Sequence, residues 1–111
     1  MKTIRDFEPA DRYVYDFGVC SMKNGFAQID TGQDASYFGM WCSPDRLMIV
    51  SYIEGDVVIQ TADNLNEFIE EINNIKTWNN ANGYGFYGID PGLNEDFINK
   101  FHKIGLGELL H

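Results

Sequence analysis

The hydrophobic pattern of the chain changes period near Asp63. Before it, apolar and polar residues alternate in short runs; after it, apolar residues recur every third or fourth position. In Arg12–Gly18, Tyr13, Tyr15 and Phe17 alternate with Arg12, Val14 and Asp16, which predicts a half-buried strand. Lys23–Gly25 carries a strong turn signal, and Phe26–Asp30 can return as a second strand. Tyr37–Cys42 reads as a third, followed by turn residues at Ser43–Asp45. Arg46–Ile53 is apolar on both faces, as a central strand would be, and Glu54–Asp56 turns it into Val57–Ala62. Five strands joined by short turns predict an antiparallel meander.

Beyond Asp63, Leu65, Phe68, Ile69, Ile72 and Ile75 fall on one face of a helix running to about Thr77. Asn64, with Glu67 three residues on, forms a capping-box pattern, and Asp63 is an alternative cap. A second helix is predicted over Asn94–Ile104. Asn94 would cap it, Leu93 and Ile98 stand at staple spacing, and Phe97, Phe101 and Ile104 form its apolar side. Gly105 ends it. The expected fold is therefore a single α+β domain over residues 1–111. It has a five-stranded antiparallel sheet followed by two C-terminal helices packed on one face.

Charge narrows the possible partners. The net charge is −9, and residues 51–111 hold ten carboxylates against three lysines. Nucleic-acid affinity comes largely from Lys and Arg, so direct nucleic-acid binding is not expected, nor is attraction to anionic membranes. Six carboxylates and no Lys or Arg lie between Glu54 and Glu71. At about 100° per residue, Asp63, Glu67, Glu70 and Glu71 share one sector of the first helix, predicted to face solvent. Trp78 falls near that sector, so either the helix stops before it or its ring leaves the core stripe. An acidic face with an aromatic beside it suits a basic protein partner.

The segment around Asp30-Thr31-Gly32 raises a different possibility. Over Ala27–Gly32 it resembles the retroviral-type aspartic proteases, whose Asp-Thr-Gly carries the catalytic carboxylate. That family follows the tripeptide with Ala or Ser where this chain has Gln33, and its fold has no place for the helix after Asp63. Phe86–Asp90 only loosely echoes the family's later motif. Turn chemistry is the simpler account of the tripeptide. The polar loop Asp30–Tyr37, with Gln33, Asp34, Ser36 and Tyr37, sits between two apolar strands and is a second candidate site.

More broadly, Ile29–Trp41, Ile49–Val57, Gly88–Leu93 and the terminal Leu106–His111 are similar to a family of small, uncharacterised bacterial proteins. In that family the position of Gly32 is not restricted to glycine. The resemblance spans nearly the whole chain and implies no activity, cofactor or site residue.

Residues 1–13 contain no apolar signal segment, and no run approaches a membrane span, so a cytoplasmic setting with reduced Cys20 and Cys42 is expected. Cysteine and histidine spacing suggests no metal or cofactor. The leading expectation is a non-catalytic protein that binds a basic protein as an inhibitor or accessory factor. The alternatives are a hydrolase using Asp30 and Asp34 and a small-ligand module built on the Asp30–Tyr37 loop.

Overall fold

The structure is a computed structural model that describes Cys20 and residues 22–34, 36–54 and 56–111. Strands β1 (Ala27–Thr31), β2 (Phe38–Ser43), β3 (Met48–Ile53) and β4 (Asp56–Thr61) precede helix α1 (Leu65–Ala81). Strand β5 (Phe86–Asp90) and helix α2 (Glu95–Lys103) follow. The strands form one sheet in the order β4-β3-β2-β1-β5, with every neighbouring pair antiparallel. The expected α+β class, five-stranded antiparallel sheet and two helices are present. The predicted strand over Arg12–Gly18 lies outside the described residues. The fifth strand of the sheet is instead Phe86–Asp90, between the two helices, paired with β1.

Residue alternation assigns the two faces. Ala27, Ile29, Met40, Cys42, Ile49 and Ile89 pack in one cluster with Phe68 and Ile72 of α1 and Phe97 and Phe101 of α2. Both helices therefore cover the same side of the sheet. Phe26, Met48, Val50 and Ile59 form a second cluster with Cys20. In β3, Ile49 joins the first cluster while Met48 and Val50 join the second, as its apolar character on both faces requires.

Asn64 is the cap of α1: its side-chain oxygen accepts the Glu67 backbone N–H at 2.9 Å. Asn94 does the same for α2, accepting from Phe97 at 3.0 Å. The staple expected from Leu93 does not form, because Leu93 is 98% exposed. The cap hydrogen bond and the Phe97–Phe101 ring contact at 5.1 Å leave the helix start set without it. Asp45, in the turn after β2, forms an ion pair with Lys100 of α2. After α2 a short 3₁₀ turn, Gly107–Leu109, leads Leu110 into a parallel bridge with Ile89, and the His111 N–H donates to the Ile89 carbonyl at 3.1 Å.

Helix α1 runs four residues beyond the predicted end. The Asn79 side chain is buried inside its last turn and donates to the Ile75 carbonyl at 2.9 Å, while the Asn79 carbonyl accepts from Tyr84 and Gly85. These bonds offset the low helix propensity of an Asn-rich segment.

Candidate functional site

The Asp-Thr-Gly segment ends β1 and turns against the loop after α1. The Thr31 hydroxyl accepts the Gln33 backbone N–H at 3.3 Å, and the Gly32 N–H donates to the Gly85 carbonyl at 3.3 Å. A Cβ on Gly32 would lie 1.8 Å from the Tyr84 carbonyl oxygen, so this backbone approach demands glycine. The tripeptide thus has a packing explanation that is independent of catalysis.

The carboxylates of the loop have separate partners. Asp30 pairs with the imidazole of His111, brought from the far end of the chain. Asp34 accepts the Ser36 N–H at 2.8 Å, a local turn in which the side chain mimics backbone. The His111 contact was not legible in the sequence, which offers no histidine near Asp30. Among the described residues, no three His, Cys, Asp or Glu side chains gather as a metal-ligand set.

Gln33 leads elsewhere. Its side-chain N–H donates to Asn79 Oδ1 at 2.8 Å, joining the loop to helix α1. The two residues form part of the wall of a groove of about 400 Å³ whose other walls are Phe38, Met40, Ile53, Asn74, Ile75 and Trp78. Phe38 and Ile53 are register partners on β2 and β3, and Met40 follows Phe38 on the same face. Asn74, Ile75, Trp78 and Asn79 span about a turn and a half of α1. The groove therefore lies where the C-terminal half of α1 diverges from the end of the β2–β3 hairpin. Its volume falls within the range of ligand sites, and its walls are mainly apolar.

The rim is aromatic and open. Trp78 is 53% exposed although it lies within the helix, so its ring does leave the core stripe. Tyr84 stacks on it at 5.8 Å between ring centroids, with the planes 19° apart. Tyr37, next to Phe38, is 60% exposed, and Ile53 is 45% exposed. Trp78 and Ile53 are half-exposed apolar walls of one groove, and exposed apolar residues gathered in this way indicate an interaction surface more strongly than the same residues scattered singly; Tyr37 does not line it.

Of the acidic residues, Glu71 falls beside this groove. Glu71, Asn74 and Trp78 are spaced three and four residues apart, so they follow one flank of α1, with Glu71 a turn toward the N-terminus. Asp63 and Glu70 are exposed, as the helical spacing predicts, whereas Glu67 and Glu71 are half-buried, in place of the open solvent face expected of them. The reason is angular: both flank the Phe68/Ile72 stripe that packs on the sheet. Of the two candidate sites read from the sequence, the structure brings one residue of each, Gln33 and Trp78, to a single groove. Ser36 and Asp34 are exposed and do not line it, and Asp30 belongs to the His111 contact.

The cysteines are not joined: Cys20 and Cys42 belong to clusters on opposite faces of the sheet. Burial pushes the Cys42 thiol far above its ordinary range, leaving it a poor nucleophile. Among the described residues, no helix is long and apolar enough to cross a membrane. Comparison with family models, curated proteins and solved structures found no match.

Proposed function

We propose that this protein acts by binding another protein, without catalysis, through the groove between α1 and the β2–β3 hairpin. The partner presents an apolar side chain to the groove and Lys or Arg to the adjoining carboxylates. The observation that carries this reading is the position of Trp78. It is half exposed, stacked on Tyr84, and joins an apolar groove to a helix flank bearing Glu71. A solvated acidic helix alone supplies steering but little affinity, whereas a desolvated aromatic anchor supplies most of the binding energy in typical interfaces. A net charge of −9 favours a basic partner and disfavours self-association through this face.

The cytoplasm is the setting that goes with this reading, since the two cysteines are not in a disulfide. The hydrolase alternative, built on Asp30 and Asp34, has less support because each carboxylate is engaged by a different partner.

The test is selection from a random peptide display library on the immobilised protein, with Trp78→Ala and Glu71→Gln as parallel baits. Enrichment of sequences joining an apolar residue to Lys or Arg, retained by neither variant, is the expected result. Enrichment that both variants retain would remove the groove from consideration. Trp78→Ala is suited to this use because its ring is half exposed, so its loss should leave the core intact.

A further inference from the structure

The hydrogen bonds at the floor of the groove have a fixed direction. The Ile75 carbonyl can only accept, so the Asn79 amide nitrogen must face it, at 2.9 Å. That leaves Asn79 Oδ1 as the acceptor for the Gln33 amide nitrogen at 2.8 Å. Gln33 Oε1 is then left as an acceptor at the wall of a mainly apolar groove, with no hydrogen bond to it from the described residues. A backbone carbonyl thus orients two side-chain amides in series and sets out one acceptor for whatever occupies the groove.

Resting on the protein-binding reading above, we propose that the groove takes an extended peptide segment of the partner. In this segment an apolar residue fills the groove, its own main-chain N–H donates to Gln33 Oε1, and a Lys or Arg two residues away meets Glu71. Two observations select an extended segment. A residue inside a helix has already committed its N–H to its own backbone, whereas an extended residue keeps that donor available. The second observation is spacing. Glu71 precedes Ile75 by four residues of α1, a rise of about 6 Å along the axis. Side chains on one side of an extended chain recur every second residue, about 6.7 Å apart. An apolar residue over Ile75 therefore brings the second residue along the chain over Glu71, with the exposed Glu70 adding to the negative field there. Adjacent placement would point the cation away from α1, and a gap of four residues would carry it past Glu71.

The test uses synthetic peptides and the intact ¹⁵N-labelled protein, with dissociation constants taken from chemical-shift titrations. The lead peptide is acetyl-Ser-Phe-Gly-Arg-Ser-amide. Its relatives place Phe and Arg adjacent, or separated by three residues, or carry an N-methyl group on the Phe nitrogen. The lead peptide should shift the side-chain amide signals of Gln33 and Asn79. Both respaced peptides should bind up to about fivefold more weakly and the N-methyl peptide about two- to tenfold more weakly, as expected for loss of one exposed ion pair and of one hydrogen bond. On Gln33→Leu, the lead and N-methyl peptides should bind alike. Should that variant unfold, the spacing series and the N-methyl comparison on the unaltered protein still decide the matter. Equal affinity across spacings and N-methylation, with Glu71→Gln still weakening all the peptides, would overturn the extended-segment inference and leave the protein-binding reading standing. If no peptide perturbs the groove at millimolar concentration, both readings fail.

Discussion

Gly32 and Trp78 show two opposite ways a residue can be held in this molecule. Gly32 is fixed by what approaches it. Replacing it with Ala would drive a methyl group into the Tyr84 carbonyl, which is rigid backbone with no side chain to swing aside. Gly32→Ala should cost about 2 kcal/mol or more, as overpacking commonly does, with a fall in Tm of at least about 5 °C by calorimetry. Unchanged Tm would mean that the 79–85 loop does not hold the turn. Trp78 is constrained much less, with its ring half exposed, as the proposed binding role requires. Cys42 is fully enclosed between the sheet and the helices, and its thiol is held protonated by burial. Iodoacetamide at pH 8 should leave Cys42 unmodified in the folded protein and alkylate it in denaturant, read peptide by peptide by mass spectrometry. Rapid native labelling would show that the sheet opens locally.

At the scale of elements, regular periodicity was legible and long-range pairing was not. The caps Asn64 and Asn94 are local hydrogen bonds between residues three apart, so the sequence displays both partners together. Asn64→Ala should lower stability by about 0.5–2 kcal/mol in urea unfolding, with no change in slope. A loss near zero would shift the cap to Asp63. Strand β5 is different. It contains Gly88 at φ 128°, beside the Leu109 carbonyl, and by composition it reads as loop. It becomes a strand because β1 and Leu110 provide partners on its two sides, both distant in sequence. The far end of α1 was hidden for the same reason, since Asn79 is poorly suited to helix until Gln33 donates to it from 46 residues away. The Leu93 staple failed in the reverse direction: the local spacing was right, but no surface was there to receive the side chain.

For the whole molecule, the sequence divided what the fold unites. Gln33 and Trp78 belonged to competing candidate sites, and only the packing of α1 across the β2–β3 hairpin puts them on one groove. The aromatic and acidic ingredients could be read from composition; the concavity could not, because it depends on where the helix parts from the sheet. The unequal charge distribution, by contrast, is a property of the whole chain and makes its own prediction. Raising salt from about 0.1 to 1 M shortens the screening length from about 10 to 3 Å. The association rate of a basic peptide should then fall about tenfold or more in stopped-flow fluorescence while its dissociation rate changes little. A salt-independent association rate would assign the affinity to the apolar groove alone.

The groove draws its walls from three stretches of chain: Gln33, the hairpin residues Phe38, Met40 and Ile53, and residues 74–79 of α1. No single element of the protein contains it, and the unfolded chain has nothing equivalent. Occupancy and folding are therefore linked by mass action: a ligand present at 100 times its dissociation constant should raise the unfolding free energy by about 2.7 kcal/mol. Heat resistance of the purified protein then becomes a detector. A partner of unknown identity would announce itself by shifting the melting curve, and that shift should vanish in Trp78→Ala.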